Sequence, residues 1–127
     1  DLGVADVSFI SLAKVLPALW QLLRSPREVV LLVKPQFEVG RDRVGKNGVV
    51  RDPQDQAMAI AQVLQAAQDL GWIYQGVTWS PLLGPAGNIE YLLWLKSLPL
   101  EDSATALTPT LNDLKQLVQA AQQTLGA

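Results

Sequence analysis

Five apolar residues in a row, Val29 to Val33, end in Lys34 and are closed at once by Pro35. The run is continuous rather than alternating, which is expected of a strand covered on both faces of a parallel sheet. Lys34 then stands at the strand's carboxyl end. In open α/β sheets that edge gathers ligands and catalytic groups, so Lys34 is a candidate for chemistry. The alternative is a lysine that merely snorkels to solvent.

The rest of the chain alternates around this strand. Gly3 to Val7 reads as a short buried strand. Ser11 can cap a helix whose Leu12, Val15, Leu16, Leu19, Leu22 and Leu23 share one face, with Pro17 delaying its start or kinking it. Ser25-Pro26 ends it, and the second strand runs from Glu28 to Lys34. Residues 35–52 read as a long loop of mixed charge, and a loop that long in a small domain is usually functional or mobile. The next helix is well signed, with Asp52 as N-cap, Pro53 at its first position, Asp55 in the first turn and Gly71 as its stop. Its buried face is Ile60, Val63, Leu64, Ala67 and Leu70. Trp72–Trp79 and Glu90–Leu95 read as strands joined by the loop 80–88, antiparallel because no helix separates them. A linker follows, then a last helix capped by Thr108 with Pro109 first and an apolar stripe of Leu111, Leu114, Val118, Ala121 and Leu125.

The order is β-α-β-loop-α-β-β-α, an α/β chain with parallel strands and one antiparallel C-terminal hairpin. It looks like the back half of a doubly wound, Rossmann-like sheet. No glycine-rich strand-to-helix turn of the GxGxxG type is present.

Composition narrows the chemistry. The 127 residues suit one domain with a real core, and 49% hydrophobic content argues against disorder. There is no cysteine and no histidine, which excludes disulfides, thiolate or histidine metal sites and a Ser-His-Asp triad within this chain, so no metal is expected. The absence of cysteine fits a cytoplasmic protein. No apolar run approaches the roughly 20 residues needed to span a bilayer. Residues 1–6 show no basic region before an apolar stretch, so no signal peptide is expected. The chain's net charge is −2, yet residues 34–51 hold five basic and two acidic residues, leaving −5 for the remainder. Such a basic loop on an acidic body can contact phosphates or simply be a solvated loop.

Asp6 follows the first strand's apolar stub, Lys34 ends the second strand and Glu90 begins the last. The end of a parallel strand and the start of an antiparallel one lie on the same sheet edge, so the three can converge. Two carboxylates flanking a lysine can hold its amine, and such a lysine can orient a hydroxyl and accept its proton. The alternative is a structural ion-pair network at the sheet edge.

These residues carry a resemblance. The segments Asp6-Val7-Ser8-Phe9-Ile10-Ser11-Leu12, Val33-Lys34-Pro35-Gln36-Phe37-Glu38-Val39-Gly40, Val49-Val50-Arg51-Asp52-Pro53, and Ser80-Pro81 through Gly84-Pro85 to Gly87-Asn88-Ile89-Glu90-Tyr91 resemble the TlyA (hemolysin A) family. That family consists of FtsJ-like, S-adenosylmethionine-dependent ribosomal RNA 2'-O-methyltransferases. The match covers roughly residues 1–96, with four motifs in the right order. The resemblance implies a class I methyltransferase sheet in which Asp6, Lys34 and Glu90 belong to a Lys-Asp-Lys-Glu tetrad. The lysine helps the ribose hydroxyl attack the donor methyl, and the carboxylates orient it. It also implies that the loops 35–51 and 80–88 border the RNA, with Arg41, Arg43, Lys46 and Arg51 on phosphate, which positions without specifying sequence.

The departures are informative too. The first tetrad lysine and the glycine-rich donor motif have no counterpart here. Residues binding S-adenosylmethionine are therefore expected upstream of residue 1, as is an S4-type RNA-binding domain. Where the family often has a histidine near position 56, this chain has Gln56. The expected organisation is residues 1–97 as the C-terminal half of a methyltransferase domain, inactive alone, and residues 98–127 as a linker and a helix packing on it. The strand edge at residues 3–7 would lack its partner, which leaves self-association open. Two other readings stand beside the enzyme. One is a non-catalytic RNA-binding or assembly module. The other is a membrane-lytic protein, which the core-facing helices disfavour.

Overall fold

The structure, a computed structural model, describes residues 1–6, 11–40, 43–45, 48–97 and 107–126. In chain order these form β1 (Leu2–Ala5), α1 (Leu12–Leu22), β2 (Glu28–Val33), the one-turn α2 (Pro35–Glu38), α3 (Pro53–Asp69), β3 (Ile73–Trp79), β4 (Tyr91–Lys96) and α4 (Leu111–Leu125). The order expected from sequence holds, with α2 added inside the segment read as loop. Pro35 occupies the favoured first helical position, and the Val39 N–H donates back to the Pro35 carbonyl at 3.0 Å.

The sheet order is β1-β2-β4-β3. β1 pairs with β2 in parallel. β4 lies between β2 and β3, antiparallel to both, with Val33 opposite Tyr91 on one side and Trp79 opposite Tyr91 on the other. The hairpin therefore does not sit outside the parallel strands. Its second strand inserts into the gap and joins β3 to the rest.

All three long helices pack on one face. Leu12 and Leu16 of α1, Ile60, Val63 and Ala67 of α3, and Leu114, Val118 and Ala121 of α4 join Val29, Leu31, Val33, Leu93 and Leu95 in a single buried cluster. Trp72 enters it edge-on to Trp20, ring centroids 5.2 Å apart. The caps explain the helix starts. Asp52 accepts from Gln54 N at 2.9 Å, and Gly71 closes α3 at a φ of +106° that favours glycine. α4 begins later than expected. Thr110 and Asp113 form a reciprocal capping box, whereas the Thr108 hydroxyl accepts from Gln68 of α3.

The opposite face corrects the first expectation. β2 alternates between buried and half-buried positions, so only one face is covered. Val30, Val77, Leu92 and Trp94 line a shallow apolar hollow of about 380 Å³ on the bare side, where Val4 is 72% exposed. Among the described residues β1 is an edge strand with β2 as its one neighbour.

Candidate active site at the carboxyl edge of the sheet

Register explains which side chains meet. β1 and β2 run in parallel, so their carboxyl ends, and with them Asp6 and Lys34, share an edge. β2 and β4 are antiparallel and their last pair is Val33–Tyr91, so Lys34 and Glu90 lie one residue beyond it, facing each other across the sheet's end. Lys34 is only 8% exposed and its ammonium pairs with the Asp6 carboxylate, which is itself more than half exposed. Glu90 is 7% exposed. Its Oε2 accepts from Gln36 Nε2 at 3.3 Å. Asp6, Lys34 and Glu90 are thus gathered at one edge, and Gln36 links the glutamate to the turn that follows Lys34.

That turn is fastened by Glu38. Its carboxylate accepts from the Ser11 hydroxyl at 2.7 Å and from Leu12 N at 2.9 Å. A side chain three residues after Pro35 therefore caps the N-terminus of α1, where negative charge is favoured by the helix dipole. Removing it strands one N–H and frees the turn that carries Lys34. Glu38→Ala is expected to cost about 1–2 kcal/mol, the usual value of a lost cap. The measurement is a urea-unfolding midpoint, and an unchanged midpoint would refute the anchoring role.

A second buried network holds the loops beside the edge. Tyr91 Oη donates to Gln56 Oε1 at 2.6 Å, and Gln56 Nε2 donates to the Val50 carbonyl at 2.9 Å. Val50 N donates to Asn88 Oδ1 at 3.0 Å, and Asn88 Nδ2 donates to the Gly48 carbonyl at 2.7 Å. Asn88 thereby imitates a neighbouring strand for residues 48–50. Burial lifts the Tyr91 hydroxyl far above its ordinary pKa, so it stays protonated and acts as a donor.

The basic residues divide. Arg41 and Lys46 lie outside the described residues. Arg43 pairs with the nearly buried Asp55 of α3 at 2.5 Å, with its own side chain about half exposed. Arg51 is exposed and borders a cleft of about 290 Å³ between residues 49–51 and 86–89. Among the described residues no cluster of three or more potential metal-binding side chains occurs, and no helix is long and apolar enough to cross a membrane.

Sequence reasoning placed Asp6, Lys34 and Glu90 at one edge of the sheet, where the structure also has them, but did not reveal the contacts of Gln36, Glu38, Gln56 and Asn88 around that edge. Three of these stood within the quoted motifs, and their contacts depend on segments distant in sequence.

Comparison with known proteins identifies the family. Residues 1–97 match the FtsJ-like methyltransferase family. Over 97 residues the chain is 57% identical to the 16S/23S rRNA (cytidine-2'-O)-methyltransferase TlyA of Mycobacterium tuberculosis, covering 76% of this chain and 36% of that protein. Over 125 residues it is 40% identical to YqxC, a candidate rRNA methyltransferase of Bacillus subtilis, covering 98% of this chain and 44% of that one. A solved structure of a candidate hemolysin from Streptococcus thermophilus superposes with a TM-score of 0.84 at 40% identity, covering 98% of this chain and 42% of that chain. The chain spans about two fifths of the length of these curated relatives.

Proposed function

The chain belongs to the FtsJ-like methyltransferase family, and we propose on that premise that it carries the reacting edge of an enzyme that methylates ribose 2'-hydroxyls of ribosomal RNA. The observation that carries this reading is the nearly buried Lys34, paired with Asp6 and facing Glu90 across the sheet's end. S-adenosylmethionine supplies a sulfonium-activated methyl group, so the protein's tasks are alignment and help with one proton. Lys34 orients the 2'-hydroxyl and eases departure of its proton, while Asp6 and Glu90 hold the amine in place. Arg43 and Arg51, with Arg41 and Lys46 on the same segment, supply phosphate contacts that set the RNA's position. A ribosomal substrate places the protein in the cytoplasm.

The donor's anchoring residues are not recognisable in this chain. Neither a glycine-rich strand-to-helix turn nor the tetrad's first lysine has a counterpart in this chain. Two structural features favour an upstream donor-binding half. Among the described residues β1 has an unpaired edge, and the face bearing Val4, Val30 and Trp94 is apolar and open.

The test is calorimetric titration of S-adenosylmethionine into residues 1–127 beside an upstream-extended chain. Binding is expected to the extended chain alone. Comparable affinity for residues 1–127 would overturn the half-domain reading, and RNA binding without methyl transfer by the extended chain would favour a non-catalytic module.

A further inference from the structure

We propose that Gly84 and Gln36 form a seat that sets the position of the Glu90 carboxylate, and that both act as positioning residues through it. The inference rests on the assignment of Glu90 to the reacting edge made above. Glu90 is nearly buried, and its backbone carbonyl accepts from Ser80 N at 2.8 Å, so only its side chain has freedom to move. Two neighbours remove that freedom.

Gly84 closes one side. A Cβ built there would fall 2.5 Å from Glu90 Cδ and 3.0 Å from Cγ, well inside van der Waals contact. The backbone of Gly84 does not have the positive φ that favours glycine, so it is the approach of the carboxylate that requires the missing side chain. Gly87 is the contrast, with a φ of +87° and open space where a Cβ would go. Gly84 cannot retreat easily. Its N–H donates to the Asn88 carbonyl at 2.7 Å, and its carbonyl accepts from Gly87 N at 3.1 Å. Asn88 is in turn tied to residues 48–50 by its side chain.

Gln36 holds the same carboxylate by a hydrogen bond. Its Nε2 donates to Glu90 Oε2, which orients the amide because a carboxylate only accepts. The orientation leaves Gln36 Oε1 buried with no hydrogen-bond partner among the described residues. A buried unsatisfied acceptor is unfavourable for stability, so the contact to Glu90 is kept at a cost to the fold. Gln36 sits on α2, which Glu38 anchors to α1. The lysine and the group that orients Glu90 therefore share one rigid turn.

A methyl at position 84 meets the flexible end of Glu90, so the fold survives and the carboxylate shifts by about 1 Å. The test is a double-mutant cycle on methyl transfer, using the natural chain that contains these residues. Gly84→Ala is expected to lower kcat roughly 100-fold, with KM for RNA and affinity for the donor little changed. Gln36→Met is expected to lower kcat about tenfold by removing a donor to a charged group. In a Glu90→Ala background both substitutions are expected to be silent, since no carboxylate remains to displace. An equal loss in both backgrounds would show a general structural role and overturn the proposal. Wild-type kcat in Gly84→Ala and Gln36→Met would overturn it as well, with Glu90 still catalytic. Wild-type kcat in Glu90→Ala would instead sink the underlying assignment, and the seat with it.

Discussion

Lys34→Met is expected to abolish methyl transfer while leaving the fold intact. The amine is removed from a position only 8% exposed, and the methionine stem fills the same space. Asp6 loses its partner but is already more than half exposed, so it stays solvated, and the nearly buried Glu90 keeps its hydrogen bond from Gln36. The ribose hydroxyl then has no positioned amine to orient it and ease departure of its proton, and the loss should be about 10³-fold in the single-turnover rate. Lys34→Arg should fail to rescue. The guanidinium is a broad planar fork and does not occupy the site of a compact ammonium. Single-turnover methylation of ribosomal RNA by the natural chain is the measurement. Wild-type rates for Lys34→Met would remove Lys34 from the mechanism and leave the Asp6 pair as a structural ion pair.

The second large effect concerns stability. Gln56 is 2% exposed and satisfies both the Tyr91 hydroxyl and the Val50 carbonyl. Gln56→Leu fits the space but orphans both groups. Each buried orphan costs about 1–3 kcal/mol, so a loss of about 3 kcal/mol is expected. Gln56→His should be tolerated within about 1 kcal/mol, because a neutral imidazole offers one acceptor and one donor. Urea unfolding at constant slope checks both variants. Equal midpoints for Gln56→Leu and the parent would show that the network carries no stability.

The part of the site legible in the sequence was the part built from local rules. A lysine closing an apolar run had to stand at a strand's end. Asp6 and Glu90 could be placed at the same edge from strand direction alone, and Asp52-Pro53 marked the start of α3. Thr108-Pro109 obeyed the same capping rule and misplaced α4. The Thr110–Asp113 box competes for the same role and makes two reciprocal bonds. The quoted motifs held Gln36, Glu38, Gly84 and Asn88 without revealing what any of them touches.

Strand existence, helix periodicity, most caps and the clustering of Asp6, Lys34 and Glu90 followed from residue order, because each rests on neighbours a few positions apart or on the direction of a strand. The insertion of β4 between β2 and β3, the bare face around Trp94, the capping of α1 by Glu38 and the seating of Glu90 against Gly84 did not. They join residues up to 68 positions apart, Glu28 opposite Lys96 in the register of β2 with β4. Which of those distant contacts form is decided by packing the whole sheet against its helices, and no local pattern encodes that choice.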